Sequence, residues 1–222
     1  MNDHDVPPSD LIRAAPEMRP VRRTQAERSA ETRRRVCEAT LEALVEVGYE
    51  RISTTLIAQK ADVSRGALTH QFPMRNDLLV AAFQHLVDVW GDRFPLGAQH
   101  DPGRLSAEEL TDALWENIFS TPHYIGAVEL MMAARQDNEL GRALREVNDA
   151  WVIRRDTKAV ALLGGVIENE RDATFVRLLL AVLRGVAVHQ SLDYDESSAQ
   201  RLLTMWKQIA RQIDLASLAR EG

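Results

Sequence analysis

Apolar residues recur at steps of three and four along most of this 222-residue chain, and this helical period limits the fold more than any other feature. Between residues 36 and 47, for example, Val36, Ala39, Ala43 and Val47 lie on one helical face. We identify no convincing strand and no internal repeat. The pattern predicts an all-α chain with about nine helices.

Local signals divide this pattern into separate helices. Residues 24–27 and 106–109 have the spacing of capping boxes, in which a threonine or serine and a glutamate satisfy the first free amides of a helix. Gly48 is expected to end the first helix and Gly164-Gly165 a long later one. Residues 91–104 are rich in glycine and proline and are predicted to form a loop.

The net charge of −6 is unevenly distributed. Residues 19–75 hold eleven Lys/Arg and seven Asp/Glu, whereas residues 76–222 hold fifteen Lys/Arg and twenty-two Asp/Glu. A basic N-terminal segment on an acidic body is typical of a protein that meets phosphates at one end, although a solvated charged helix face gives a similar pattern. Residues 1–23, with prolines and several arginines, are predicted to be a flexible arm.

The cysteine content and the N-terminus favour a cytoplasmic protein. Cys37 is the only cysteine, so no internal disulfide can form. The first ten residues show no signal peptide. The longest apolar run, residues 173–188, contains Arg177 and Arg184 and is not expected to span a membrane.

The most informative segment is residues 33–79. Ser53 or Thr54 can cap a short helix over 55–61, and Ser64 can cap another that ends before Pro73. The turn Ala61-Asp62-Val63-Ser64 separates them, which gives the layout of a helix-turn-helix. The second helix of such a unit enters the DNA major groove.

Several fixed spacings in this segment resemble the TetR family of bacterial transcriptional regulators. The matching pieces are Gly48-Tyr49, Ile57-Ala58, Ala61-x-Val63-Ser64, Gly66-Ala67-Leu68, Phe72-Pro73 and Arg75-x-Asp77-Leu78-Leu79. The resemblance implies a three-helix DNA-binding domain over residues 24–75 and a helical ligand-binding and dimerisation domain over residues 76–222. It also implies a homodimeric repressor that a small molecule releases from a pseudo-palindromic DNA operator.

Three positions depart from the family pattern. Asp62 replaces the turn glycine, but aspartate tolerates a left-handed backbone better than most residues. Thr69 stands where a tyrosine usually reaches the DNA backbone, so His70 is a possible replacement for that contact. Met74 replaces a capping residue, and Asp77 in the first turn is expected to favour the helix dipole instead.

Roles at the DNA follow from position in the helix-turn-helix. Arg65 is a candidate for a bidentate contact with guanine, and Gly66 permits close approach to the duplex. The arginines of the arm, Arg19, Arg22 and Arg23, are candidates for added affinity. The run Arg33–Arg35 is either a phosphate contact or a solvated face. The full set of DNA-binding candidates is Ser53, Thr54, Thr55, Ser64, Arg65, Gly66, Thr69, His70, Gln71 and Arg75.

Large apolar side chains in the second domain are either core residues or the walls of a ligand cavity, since pockets between helices are mostly apolar. Arg177 and Arg184 lie seven residues apart on an apolar helix. They either anchor an acidic ligand or form a solvent-facing or interfacial stripe. The ligand-pocket candidates are Trp115, Phe119, Tyr124, Met131, Met132, Trp151 and Phe175.

The last two predicted helices carry more apolar surface than one core-facing side needs. A subunit interface of four helices across a two-fold axis accounts for the surplus, and the alternative is a monomeric core. The dimer-interface candidates are Leu179, Val182, Val186, Leu202, Met205, Trp206 and Ile209.

We find no HExxH, paired CxxC, GxSxG, GxGxxG or P-loop, so we expect no metal, no cofactor and no enzymatic activity. A sequence-specific, ligand-responsive regulator is the main hypothesis. The alternative is an architectural DNA-binding protein without a ligand, and a helical enzyme or protein–protein adaptor is the remote third. A cavity in the second domain discriminates the first two.

Overall fold

The computed structural model describes residues 24–98, 103–192 and 195–212, and these residues form helices, turns and loops with no strand. The predicted all-α fold is confirmed. The arm arginines Arg19, Arg22 and Arg23 lie outside the described residues. The helices are α1 (Gln25–Arg51), α2 (Thr54–Lys60), α3 (Arg65–Gln71), α4 (Arg75–Asp92), α5 (Ala107–Leu114), α6 (Pro122–Ala133), α7 (Asn138–Leu162), α8 (Glu170–Leu192) and α9 (Glu196–Ala210).

The two predicted capping boxes are present, whereas the stop predicted at Gly48 is an interruption within α1 and not its end. Thr24 Oγ1 accepts from the Glu27 amide at 3.2 Å, and Glu27 Oε2 accepts from the Thr24 amide at 2.7 Å. Ser106 and Glu109 make the same reciprocal pair at the start of α5. Gly48 interrupts α1 with φ +74°, a left-handed conformation that favours glycine.

The helices share one hydrophobic core. α1 packs on α2, α4 and α6, while α4 also packs on α7. The first turns of α4 supply the fully buried Leu78 and Leu79, and α7 and α8 supply residues such as Leu144 and Val176. The N-terminal helices therefore rest directly on the body of the protein through α4 and α6.

One helix is less regular than its sequence predicts. A continuous helix is expected from Ser106 to about Ser120, but the chain changes after Leu114 into a π-helical segment, Trp115–Phe119. The Ser120 amide donates to the Trp115 carbonyl at 2.9 Å across the wider turn. Trp115, Ile118 and Phe119 are all buried, so the wider turn lets three large side chains enter the core together.

By length and composition alone, α8 could cross a membrane. In the protein it packs on α6, α7 and α9, and Val176, Leu179 and Leu183 are fully buried there. Its other face is partly exposed, with Leu178 half-exposed. We conclude that the apolar residues on the buried face of α8 form part of the hydrophobic core.

Candidate functional site

The two short helices α2 and α3 form the predicted helix-turn-helix. Ser53 Oγ accepts from the Leu56 amide at 3.2 Å at the start of α2, and Ser64 Oγ accepts from the Ala67 amide at 3.1 Å at the start of α3. Each serine thus satisfies a free amide of the first turn. The seam between the two helices is apolar and buried, and it contains Ile57, Ala58, Ala61 and Leu68.

The turn between these helices depends on a left-handed aspartate. Asp62 has φ +50°, as expected for the residue that replaces a glycine here. The Val63 amide then donates to the Ala58 carbonyl at 3.0 Å. Arg35 of α1 donates to the carbonyls of Ala61 and Asp62, so α1 holds the turn from behind.

The outer face of α3 is open to solvent. Arg65, Gly66, Thr69 and His70 are exposed, and around Gly66 the nearest atom to an added Cβ is Ser64 Oγ at 3.9 Å. The Thr69 hydroxyl donates back to the Arg65 carbonyl at 2.8 Å. The structure therefore brings these four predicted DNA contacts together on one exposed surface, which we call the reading face.

The remaining DNA-binding candidates differ in their exposure to solvent. Thr55 is exposed, whereas Thr54 is half-buried. Gln71 is half-buried and donates to Ser29 Oγ at 2.8 Å. The guanidinium of Arg75 lies 4.5 Å from the centre of the Tyr49 ring and donates to the Tyr49 carbonyl at 3.0 Å. This contact occupies part of the donor set of Arg75 that a phosphate would need.

The run Arg33–Arg35 is engaged within the protein. Arg33 lies 4.6 Å from the centre of the Phe72 ring. Arg34 pairs with Glu31 and Glu38, both at 2.6 Å, and Arg35 holds the turn described above. Each arginine thus has a partner within the protein, and the partners of Arg33 and Arg35 lie far along the chain.

The body contains a cavity of about 410 Å³ that is partly open to solvent, a size typical of small-molecule sites. It lies among α4, α6, α7 and α8, with Trp90 on α4 and Trp151 on α7 in its wall. The ring centroids of these two tryptophans are 6.2 Å apart. The wall consists of Phe83, Trp90, Tyr124, Ala127, Val128, Met131, Met132, Ala134, Arg135, Gly141, Leu144, Arg145, Asn148, Trp151, Arg155 and Arg184.

The structure places the seven ligand-pocket candidates in two groups. Tyr124, Met131, Met132 and Trp151 lie in the cavity wall. Trp115, Phe119 and Phe175 are buried core residues outside that wall; the Phe119 ring packs on Tyr124 at 4.6 Å, and the Phe175 ring stacks on Trp206 at 6.3 Å. Burial raises the pKa of the Tyr124 hydroxyl, which therefore stays protonated at neutral pH.

Sequence reasoning missed most of the polar wall. Arg155 is buried, and its guanidinium donates to Asp156 Oδ1 at 3.0 and 2.8 Å. The adjacent Arg155-Asp156 pair in an amphipathic helix was the available signal, but adjacent residues on a helix ordinarily point apart. The sequence pattern pairs Arg184 with Arg177 and does not single out Trp90 as a wall residue.

Contacts near the cavity also reach the N-terminal helices. Glu129, on α6 between the wall residues Val128 and Met131, accepts from the Tyr49 amide at 2.8 Å. Asn76 of α4 donates to the N-cap residue of α7, Asp137, at 3.3 Å. Backbone amides of α7 lower the pKa of the Asp137 carboxyl, most of all that of Leu140, so it stays ionised.

The dimer-interface candidates divide between core and surface. Leu179, Val186 and Trp206 are buried within the chain, and Val182 is partly buried. Leu202, Met205 and Ile209 are 43%, 58% and 50% exposed and lie along one side of α9. We call these three residues the α9 stripe.

Two short helices with a buried seam and an exposed second helix define a helix-turn-helix DNA-binding protein. Residues 36–82 match the family model of bacterial regulatory proteins of the tetR family. This segment is therefore similar to the DNA-binding region of TetR-family transcriptional regulators.

Relatives and solved structures extend the likeness over the body. The HTH-type transcriptional regulator CymR of Pseudomonas putida is 27% identical over 201 residues, which are 88% of this chain and 97% of CymR. A solved transcriptional regulator of Rhodococcus sp. Rha1 has the same fold, with a TM-score of 0.63 and 23% identity over 81% of this chain and 96% of that one. The multidrug binding protein EbrR, solved with ethidium, is 28% identical with a TM-score of 0.55, over 78% of this chain and 97% of EbrR.

Proposed function

We propose that the chain is a homodimeric, cytoplasmic repressor that a small molecule releases from a pseudo-palindromic operator. The observation that carries this proposal is that α4 and α6, which line a cavity of about 410 Å³, also pack on α1, and α1 packs on α2 of the helix-turn-helix that carries the exposed reading face. The solved complex of EbrR with ethidium supports a ligand role for the body of this chain. We retain the division into a DNA-binding domain over 24–75 and a ligand-binding and dimerisation domain over 76–222 as part of the proposal.

The reading face is assigned to the major groove. We assign to Arg65, which is exposed in the first turn of α3, two hydrogen bonds to one guanine. Gly66 leaves room for the duplex, and Thr69 and His70 supply further contacts to bases or phosphates. Ser53, Thr54, Thr55 and Ser64 supply amides and hydroxyls at helix starts for phosphates, and Gln71 and Arg75 stand at the edge of this surface.

Dimerisation is assigned to α8 and α9. A pseudo-palindromic operator needs two reading faces related by a two-fold axis, with half-sites about 34–36 Å apart or further. The α9 stripe and the half-exposed Leu178 of α8 offer apolar surface for such an interface. Val182 and the buried Leu179, Val186 and Trp206 support that surface from within.

Release follows from a shift between two conformations. A ligand that binds better to the form in which the two reading faces do not fit adjacent half-sites lowers the DNA-bound population. Glu129 accepts from the Tyr49 amide, and Arg75 stacks on Tyr49. Helices α6 and α4 thereby connect the cavity wall to the end of α1. Ligand binding can act through this connection on the helix-turn-helix.

The first experiment is selection of bound sequences from a random DNA pool at a fixed salt concentration. We expect enrichment of a two-fold symmetric sequence by the purified full chain. Sequence-blind, salt-sensitive binding would instead support the architectural alternative.

Arg65→Ala in the same selection tests the assigned reader. We expect it to weaken operator binding by about 1–3 kcal/mol and to relax the preference at one base pair of each half-site, since a bidentate contact is lost. Arg34→Ala is the matched control, because Arg34 is an exposed arginine already paired with Glu31 and Glu38. An unchanged base preference in Arg65→Ala would reject this role.

A further inference from the structure

The charge of the cavity wall is opposite to that of the body around it. Residues 76–222 have more acidic than basic side chains, yet the wall contains four arginines and neither aspartate nor glutamate. Three of them, Arg135, Arg145 and Arg184, are exposed, whereas Arg155 is buried. A cavity with this lining favours an anion over a cation of the same shape.

Among the residues that the structure describes, only Arg155 of these four arginines is paired with a carboxylate. Arg155 donates twice to Asp156, which lies behind the wall. In the part of the chain that the structure describes, no carboxylate oxygen lies within 4.0 Å of the Arg184 guanidinium, whose Nε donates to Tyr124 Oη at 3.1 Å. Since a guanidinium has five N–H donors in a planar fork, Arg184 retains donors for a second group.

The rest of the wall suits an apolar body. Trp90 and Trp151 face one part of the cavity, and Trp90 and Tyr124 have ring centroids 5.9 Å apart. Phe83, Val128 and Met131 add aromatic and aliphatic surface. An inorganic anion would leave this surface without a partner, whereas an aromatic or aliphatic body buries it.

We propose that the effector is a small organic carboxylate whose head binds Arg184 beside Tyr124 and whose apolar body lies against Trp90 and Trp151. This inference rests on the proposed function and names the ligand class of the same cavity. The structure also separates the two arginines that the sequence pairs: Arg184 lines the cavity, whereas Arg177 is 67% exposed and lies 3.9 Å from Asp156 outside it. The acidic-ligand hypothesis is thereby assigned to Arg184 alone.

The position of the carboxylate connects it to the DNA-binding end. Tyr124 lies in the first turn of α6, and Glu129, further along the same helix, accepts from the Tyr49 amide. An anion that draws Arg184 or Tyr124 toward itself therefore acts on the helix that contacts the end of α1. Carboxylate binding and release of the DNA thus both depend on α6.

The test is calorimetric titration of the full-length protein with three matched pairs: benzoate and benzamide, 2-naphthoate and 2-naphthamide, decanoate and decanamide. We expect at least one carboxylate to bind about tenfold or more tightly than its amide, since a hydrogen bond to a charged group is stronger than one to a neutral group. The cation 2-naphthylmethylammonium should bind most weakly. No binding, or no preference for the carboxylate in any pair, contradicts the proposal.

Substitutions test which side chain of the cavity causes the preference for the carboxylate over its amide. Arg184→Gln should lower the affinity for the preferred carboxylate about tenfold and leave that for its amide within about twofold, whereas Arg184→Lys should keep part of the preference. Arg177→Gln, on the same helix outside the wall, is the matched control and should keep it in full. A preference that survives Arg184→Gln overturns the assignment.

DNA selection on the same preparation separates failure of the ligand class from failure of the proposed function. A protein that selects an operator but prefers amides or cations retains the regulatory role and loses the carboxylate proposal. A protein that binds carboxylates through Arg184 but selects no DNA sequence retains the ligand class and loses the regulatory role.

Discussion

At the scale of single residues, Asp62 adopts a backbone conformation that non-glycine side chains rarely take, with φ +50°. Arg35 stabilises it by donating to the Asp62 carbonyl at 3.1 Å and lying 3.4 Å from its carboxylate. The local strain is acceptable because aspartate has a short side chain without a branched Cβ. The turn therefore depends on the choice of residue as well as on the seam behind it.

Substitution of Asp62 tests this dependence. Asp62→Val should lower the free energy of unfolding by about 1–3 kcal/mol, because a branched Cβ is strained at positive φ. Asp62→Gly should be close to neutral, since the backbone relief offsets the flexibility that glycine adds to the unfolded chain. Urea unfolding measures both, and equal stabilities of the two variants would contradict this account.

Cys37 gives a prediction about pH. The side chain is 3% exposed, and burial raises the pKa of its thiol to about 11. The thiolate is the reactive form, so labelling by a disulfide reagent at pH 8 should be on the order of a hundredfold slower in the folded than in the unfolded protein. Equal labelling rates in buffer and in urea would contradict the buried assignment.

The raised pKa of the Cys37 thiol also determines whether stability rises or falls with pH. The unfolded thiol ionises near its ordinary value of about 8.5 while the folded thiol keeps its proton. The contribution of Cys37 to stability therefore falls as pH rises through the range between the two pKa values. Cys37→Ala should remove that part of the pH dependence in urea unfolding at pH 8 and pH 10.

At the scale of helices, local chemistry made the helix-turn-helix predictable. The caps Ser53 and Ser64 place the starts of α2 and α3 to within a residue, because a cap acts on its own first turn. Other features depend on contacts between distant segments. Arg75 turns toward Tyr49, and Arg155 is buried beside Asp156, so neither their partners nor the π-helical segment Trp115–Phe119 follows from periodicity.

The contact between α6 and α1 is a test of coupling. Glu129→Ala removes the acceptor of the Tyr49 amide, so it should weaken the effect of a releasing ligand on operator affinity by about twofold to thirtyfold. Glu129→Gln keeps an acceptor oxygen and serves as the control. The measurement is operator affinity with and without ligand for each variant; full release in Glu129→Ala would show that the coupling runs elsewhere.

At the scale of the whole molecule, the two assigned activities lie at different places on the same helical framework. The reading face is on α3, the cavity is lined by α4, α6, α7 and α8, and the α9 stripe is on the outer surface. Sequence periodicity predicted that the last two helices carry more apolar surface than one core-facing side needs. It did not predict which apolar residues face a cavity, because both environments select the same side chains.

The α9 stripe predicts the oligomeric state. Met205→Glu places a charge in the proposed interface and should convert a dimer into a monomer of 25.0 kDa in sedimentation equilibrium. Ile153→Glu is the matched control, because Ile153 is 69% exposed on α7 and outside the stripe. A wild-type protein that sediments as a monomer at micromolar concentration would contradict the proposed interface.

Helix α4 connects the cavity to the DNA-binding end, so a small tilt of this helix at the cavity displaces its first residue. Arg75, at its first residue, stacks on Tyr49, and Trp90, near its last, lines the cavity. At 1.5 Å per residue the two positions are about 22 Å apart along the axis. A tilt of about 5° pivoting at Trp90 would carry Arg75 through about 2 Å, more than half the 3.4 Å spacing between successive bases along a strand. In the proposed dimer the two reading faces would move apart by up to twice that distance. A ligand that changes the width of the cavity only slightly would therefore move both reading faces away from their half-sites.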